Sequence, residues 1–246
     1  MNGTTVEIRT KDGVADAYVS HPAGAGSWPA VLYFMDGIGW RPTLFEMADR
    51  LASNGYYVLL PNMYWRSGAI APFDLKAMFS GGPERERMMK IASAVTDESA
   101  MRDTEAFLEF LAGSPAVKGA HKIACAGYCL GGGLAISAAC AFPDRISAAA
   151  SFHGGRFLTS PEAPDVIAKK ARARIYLGVA EIDANHTPEV TKRLTAALEE
   201  AKAPYTIELY PGVSHGFVMP DLPVYNRDAS EQHWDRLLEL LRVTFA

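Results

Sequence analysis

The sequence predicts an α/β protein in which helices cover both faces of a mostly parallel sheet of about eight strands. Short apolar, β-branched runs alternate along the chain with longer helical patterns, which is typical of parallel strands joined by crossover helices. In addition, the stretch "KIACAGYCLGGGLAISAA" reads as a strand, a tight turn and a helix. The length of 246 residues is common for one domain of this class, and we expect a single domain over residues 1–246.

The first two predicted strands form a hairpin, because "TVEIRT" and "VADAYVS" flank the turn signal Lys11-Asp12-Gly13. Six further strands are predicted at 30–36, 56–61, 122–127, 147–153, 174–180 and 205–210. Helices are predicted at 42–54, 97–112, 130–141, 187–202 and 229–245. Thr187 as N-cap and Pro188 at the first helical position mark the start of the fourth helix.

Residues 64–95 interrupt this alternation. They contain Gly81-Gly82-Pro83 and the charged run "ERERMMK", and the segment is too long for a plain connection. Two interpretations are open. The segment forms either a lid or substrate-binding excursion, or a surface insertion with one amphipathic helix.

The composition places the chain among ordinary globular proteins, with 49% hydrophobic and 21% charged residues. A net charge of −4 argues against a nucleic-acid or anionic-membrane partner. Three cysteines do not make a disulfide framework, and the N-terminus shows no apolar secretory segment, so a cytoplasmic location is expected. Residues 123–143 carry no charge and would be long enough for a membrane helix, but their glycines favour the strand-turn-helix interpretation.

Cys129 occupies the turn of that strand-turn-helix. The surrounding G-Y-C-L-G matches the nucleophile-elbow pattern with cysteine in place of serine. A helix that begins directly after the cysteine aims backbone N–H groups and its positive dipole end at the site, which favours a thiolate and can hold an oxyanion. The alternative is a small buried core residue. That alternative describes Cys125, in mid-strand, and Cys140, in the helix, better than Cys129.

A thiol nucleophile needs a base, and the base needs an orienting acid. Asp183 in "YLGVAEIDANHTPE" and His215 in "YPGVSHGFVMP" each follow a predicted strand. Open parallel sheets build their sites at the carboxyl ends of strands, and the chain order of nucleophile, acid and histidine fits an elbow enzyme. Glu181 is a competitor for the acid. Of the other histidines, we interpret His21, His121 and His233 as solvated surface residues, His186 as a loop or cap residue and His153 as a pocket residue.

On these residues the chain resembles the dienelactone hydrolase family of α/β hydrolases over nearly its whole length. The motifs that carry the resemblance are G-Y-C-L-G-G, G-V-A-E-I-D, Y-P-G-V-S-H-G-F and P-N-M-Y-W-R. The resemblance implies an α/β-hydrolase fold and a triad of Cys129, Asp183 and His215.

The resemblance also implies an acidic residue after the third strand that contacts the resting thiol. That position is Asp36, where the best-studied members have glutamate. Its carboxylate would keep the resting thiol of Cys129 neutral; the alternative is that Asp36 only caps the loop "DGIGW". By the same resemblance, the backbone N–H groups of Leu130 and Gly37 form the oxyanion hole.

Substrate-binding residues are also indicated. Arg66 stands where the family often keeps an arginine for a substrate carboxylate, and a surface salt bridge is the alternative. Members that process dienelactones carry another arginine four residues after the histidine, where this chain has Met219. Arg85 and Arg87 are candidates to compensate. Aromatic residues indicate an apolar pocket or, alternatively, plain core: Trp40, Tyr64, Trp65, Phe73 and Phe217.

The leading functional hypothesis is therefore a cofactor-free hydrolase that cleaves a small-molecule ester or lactone through a thioester on Cys129. A non-catalytic ligand-binding relative is the alternative from a different class, and a broken triad would support it. Metal-dependent and nucleotide-dependent enzymes are disfavoured, because the sequence has no H-E-x-x-H motif, no Walker lysine and no dinucleotide glycine spacing.

Overall fold

The computed structural model describes residues 3–119 and 122–246. His121, interpreted above as a surface residue, lies outside the described residues. Nine strands form one sheet: β1 Thr4–Arg9, β2 Val14–Ser20, β3 Trp28–Phe34, β4 Tyr57–Pro61, β5 Val117–Lys118, β6 Ile123–Tyr128, β7 Ile146–Phe152, β8 Arg174–Ile182 and β9 Tyr205–Ser214. The α-helices of the described ranges are α1 Pro42–Ser53, α2 Leu75–Ser80, α3 Pro83–Ser93, α4 Asp97–Gly113, α5 Leu130–Ala141, α6 Ala163–Lys170, α7 Pro188–Ala201 and α8 Arg227–Phe245.

The strand order is β1-β2-β4-β3-β6-β7-β8-β9, and the two-residue β5 pairs with β3. β2 is antiparallel to its neighbours β1 and β4, whereas the pairs from β4 to β9 are parallel. The predicted mostly parallel α/β fold is confirmed. All eight predicted strands are present, and the sequence analysis missed only the short β5.

The core lies around β3, β6 and α5. Every residue of β6 is buried, and so is every residue of α5 except the last. A helix that is apolar on all sides needs protein on all sides, and α5 packs against β6 and β7 as well as α4 and α6. The uncharged stretch 123–143 is thus divided between a central strand and a buried helix. None of the described helices is long and apolar enough to cross a membrane.

Two histidine interpretations are wrong. His233 is fully buried on α8, where Tyr128 Oη lies 2.9 Å from Nε2 and the Ser230 carbonyl oxygen 2.7 Å from Nδ1. Burial lowers the pKa of His233 to about 3, so its ring is neutral. His21 is half-buried and stacks on Trp28. Helix and strand packing provides these partners, which the local sequence does not show.

Candidate active site

The elbow at Cys129 is a strained turn that its flanking glycines make possible. Cys129 has φ 53° and ψ −114°, a conformation that costs a non-glycine residue free energy and is often found at functional sites. A Cβ placed on Gly127 would lie 2.1 Å from the carbonyl oxygen of Gly131, and one on Gly131 would lie 2.4 Å from that of Met35. Since real Cβ atoms do not approach so closely, only glycine fits at both positions.

Backbone hydrogen bonds hold the elbow from several sides. The Cys129 N–H donates to the carbonyl oxygen of Phe152 at 3.1 Å, and the Cys129 carbonyl oxygen accepts from the N–H groups of Gly132 and Gly155, both at 3.1 Å. The N–H groups of Leu130 and Gly37 have no hydrogen-bond acceptor among the described residues. A Cβ on Gly37 would lie 3.8 Å from the Cys129 Sγ, which puts Gly37 beside the thiol.

His215 and Asp183 meet because β8 and β9 are parallel neighbours. Ile182 pairs with Ser214, so the residues that follow each strand lie side by side. His215 Nδ1 is 2.6 Å from Asp183 Oδ2, and Asp183 Oδ1 accepts from the Asn185 N–H at 2.9 Å. The competing acid Glu181 is exposed and accepts from the Gly212 N–H instead. Of the two candidate acids, Asp183 is therefore the one that contacts the imidazole.

The charge state of His215 depends on both of its neighbours. Burial lowers the pKa of His215, but the hydrogen bond with Asp183 and the nearby Cys129 outweigh it and raise the pKa to about 10. For Asp183, burial raises the pKa, but the hydrogen bond with His215 outweighs it and the net pKa is lowered. Asp183 and the neighbouring Cys129 thus both favour the imidazole in its protonated form, the form that it reaches when it takes a proton as a base.

His153 and Phe217 lie behind His215 and do not line an open pocket, contrary to expectation. Phe217 is fully buried, 4.9 Å from the Tyr210 ring centroid and 5.7 Å from that of His153. The His153 ring is 4.8 Å from the His215 ring in an edge-to-face arrangement, and burial lowers its pKa well below the ordinary value. Neither His153 ring nitrogen has a partner among the described residues. The His153 ring therefore packs against the imidazole, and Phe217 packs against His153.

Asp36 has a different environment from the one that the resemblance implies. It is 3% exposed, and Arg41 donates to both of its carboxylate oxygens, at 2.7 and 2.9 Å. The N–H groups of Ile38 and Gly39 also donate to Oδ1. No hydrogen bond joins Asp36 to Cys129 in residues 3–119 and 122–246. The geometry therefore favours the loop-capping alternative, with the charge taken up by Arg41.

Arg41 was not found by sequence reasoning. Besides Asp36, its guanidinium contacts Asp221, with Nε 2.6 Å from Oδ2. Asp221 is 180 residues away in the chain, so no local pattern could have indicated the pair. Burial lowers the pKa of Arg41, but the two carboxylates outweigh it and raise the pKa above the ordinary value.

Arg66 forms the salt bridge that was its alternative interpretation. Its Nη2 donates to Asp103 Oδ1 at 2.8 Å and also contacts Asp12, and its guanidinium stacks on the Trp65 ring at 4.2 Å. Trp65 Nε1 donates to the same Asp103. Since Asp103 is 1% exposed, the pair is anchored in the protein, and Arg66 does not present a free charge to a substrate.

Residues 64–95 contain the two short helices α2 and α3. Arg87 on α3 bridges to Glu84 and donates to the carbonyl oxygens of Ala71 and Pro72. The sulfur of Met88 would lie 3.8 Å from a Cβ on Gly37, the same distance as the Cys129 sulfur. Met88 thus brings this segment next to the thiol site.

Comparisons with known proteins decide the family. The model of the "Dienelactone hydrolase family" matches residues 15–245. The chain belongs to the dienelactone hydrolase family. A Synechocystis protein with the provisional name carboxymethylenebutenolidase is 24% identical over 97% of this chain and 96% of its own length. An Escherichia coli K12 protein with the same provisional name is 28% identical over 91% of this chain and 80% of its own length.

Solved structures of this family share the fold. A provisionally named dienelactone hydrolase from Klebsiella pneumoniae superimposes with a TM-score of 0.82, at 22% identity over 97% of both chains. A dienelactone hydrolase-like promiscuous phosphotriesterase from metagenomic libraries superimposes with a TM-score of 0.80, at 20% identity over 99% of this chain and 98% of that one. This family member is thus a hydrolase with the α/β-hydrolase fold, as the sequence predicts.

Proposed function

We propose that this dienelactone hydrolase family member cleaves a carboxylic ester or lactone by acyl transfer to Cys129. The observation that carries the proposal is the 2.6 Å contact between Asp183 and His215 next to Cys129, with the cysteine on a strained elbow at a helix N-terminus. Names of relatives at 24 and 28% identity support the same substrate class.

In the first half of the reaction His215 takes the thiol proton and the Cys129 sulfur attacks the ester carbonyl carbon. The N–H groups of Leu130 and Gly37, which have no acceptor in the described chain, stabilise the oxyanion of the tetrahedral intermediate. Its collapse breaks the carbon–oxygen bond, His215 returns the proton to the leaving alkoxide, and a thioester remains.

In the second half a water molecule gives a proton to His215 while its oxygen attacks the thioester carbonyl. Collapse of the second tetrahedral intermediate breaks the carbon–sulfur bond and releases the carboxylic acid, and the proton returns from His215 to the Cys129 sulfur. Asp183 keeps the imidazole oriented throughout and stabilises its positive charge. Asp36 caps the loop after β3 and takes no part in the transfer of the thiol proton, because its carboxylate is paired with Arg41.

We also propose that residues 1–246 form one functional unit, in which 64–95 covers the substrate. The contact of Met88 with the surroundings of Gly37 supports this. A site that a chain segment covers on one side suits a small-molecule substrate better than a macromolecule.

The test is an activity screen over short esters, lactones and acidic dienelactones, followed by the Cys129→Ala and Cys129→Ser variants. Turnover is expected to disappear in Cys129→Ala, and an acyl adduct of the wild type is expected by mass spectrometry on Cys129 alone. Cys140→Ala is the matched control, because burial raises the pKa of Cys140 to about 11 and makes it a poor nucleophile. Near-native turnover of Cys129→Ala would contradict the mechanism. No turnover on any substrate would favour the non-catalytic alternative.

A further inference from the structure

A cavity of about 540 Å³ lies next to the thiol site. Its walls are the loop 38–42, which follows β3, and the segment 62–75, which follows β4. Most of its lining is aromatic or aliphatic, from Trp40, Tyr64, Trp65, Ile70, Phe73 and Leu75. The size and the apolar lining are those of a small-molecule binding site.

The cavity and the thiol site share a wall. The Tyr64 hydroxyl donates to the Gly37 carbonyl oxygen at 2.7 Å, and Gly37 stands beside the Cys129 sulfur. Tyr64 itself lines the cavity together with Ile38 and Gly39. An ester whose carbonyl carbon sits at the sulfur reaches the cavity only if its neighbouring group passes Tyr64 and the loop 37–39.

The arginines around the cavity are already paired with carboxylates. Arg41 lines the cavity, but one guanidinium there faces the two carboxylates of Asp36 and Asp221, so that the cluster carries a net negative charge. Arg66 follows the lining residue Trp65 and is held by Asp12 and Asp103. None of these guanidinium groups is left to pair with an anionic substrate.

A further carboxylate adds to this charge. Asp16 lines the cavity, and it forms no salt bridge or side-chain hydrogen bond with any residue that the structure describes. Glu7 lies directly opposite it in the β1–β2 pairing, and residues opposite each other in an antiparallel pair have side chains on the same face. Asp16 and the two carboxylates that hold Arg41 therefore leave the surroundings of the cavity negative, and a carboxylate entering it would be repelled.

We propose that this cavity binds the uncharged apolar or aromatic group of the ester substrate and rejects substrates that carry a carboxylate there. The proposal rests on acyl transfer at Cys129, because the cavity selects substrates only for a reaction at the neighbouring thiol. The aromatic walls favour binding of the neutral group. Asp16 and the carboxylates of the Arg41 cluster repel an anionic group.

The experiment compares two phenyl esters that differ only in a remote carboxamide or carboxylate, each rate divided by that of hydroxide-catalysed hydrolysis. The expected kcat/KM of the wild type for the carboxamide exceeds that for the carboxylate by about tenfold or more, as expected for repulsion between partly screened charges. Asp16→Asn is expected to reduce this ratio, mainly through a lower KM for the anionic ester. Glu109→Gln is the matched control, since it removes the same charge from an exposed position on α4 and should leave the ratio unchanged.

A second variant tests whether the cavity receives the substrate. Ile70→Trp fills the cavity, and the kcat/KM for a bulky aromatic ester is expected to fall about tenfold or more while that for a small acetate ester is retained. Equal selectivity for the two charged forms in the wild type, or an unchanged bulky-ester rate in Ile70→Trp, would overturn the cavity proposal. Hydrolysis that persists in Cys129→Ala would instead overturn the proposed acyl transfer, so the two failures are distinguishable.

Discussion

Asp183 and Asp36 occupy similar positions in the fold but bind different partners. Both closely follow a parallel strand of the sheet, and both are nearly buried, at 8 and 3% exposure. Asp183 contacts the titratable ring of His215, whereas Asp36 is clamped by the permanently charged Arg41. The position at a strand end therefore does not decide what a carboxylate does. The partner decides, because only an imidazole can take and return a proton near neutral pH.

The largest expected difference between the two carboxylates is in turnover. Asp183→Asn removes the negative charge that stabilises the imidazolium and allows the wrong tautomer, so kcat should fall by about 10⁴-fold with little change in KM. Steady-state kinetics on the best ester from the activity screen measures this. A loss of less than tenfold would show that Asp183 does not orient the base.

The second prediction concerns the stability of the Asp36 region. Arg41→Met leaves the nearly buried Asp36 and the half-buried Asp221 without their cation, and removal of one partner from a buried ion pair costs about 3–5 kcal/mol. Urea denaturation should show the loss in free energy of unfolding. Arg50→Met, which breaks an exposed pair with Glu231, is the control and should cost at most about 1 kcal/mol. Equal losses would contradict the buried clamp.

The third prediction concerns pH. His215, the partner of Asp183, can lose its proton in an accessible pH range, whereas Arg41, the partner of Asp36, stays charged. The pKa of His215 is raised from 6.5 to about 10 in the folded protein. Its contribution to stability is therefore complete below pH 6.5 and is lost as the pH rises towards 10. The free energy of unfolding of the wild type should fall over this range more steeply than that of His215→Gln. Parallel curves for the two proteins would contradict the raised pKa.

The smallest effect is expected for Asp36→Asn at the thiol. Asparagine keeps an oxygen that accepts from the N–H groups of Ile38 and Gly39. Arg41 keeps its salt bridge with Asp221. The rate of Cys129 alkylation by iodoacetamide and its pH dependence should then stay within about threefold of the wild type. A clear shift of the alkylation profile in a folded Asp36→Asn protein would show that Asp36 acts on the thiol after all.

Local patterns predicted the large elements well and the small ones poorly. The eight predicted strands and five predicted helices are all present. The sequence analysis did not separate α2 from α3 and did not predict α6, which has eight residues. Short helices depend on packing more than on their own propensity. His233 was wrongly placed at the surface for a related reason, because its burial comes from the contact of α8 with Tyr128.

The sequence by itself determined the fold class, the family and the elbow, because strand and helix periodicity and the glycines around Cys129 are local properties of the chain. It also indicated Asp183 and His215, since residues at the ends of neighbouring parallel strands must meet. Only the tertiary structure decided the pairing of Asp36 with Arg41 and Asp221, the neutralisation of Arg66 by Asp103, and the burial of Phe217. These contacts join residues up to 180 positions apart, and the charge available to a substrate depends on such pairings.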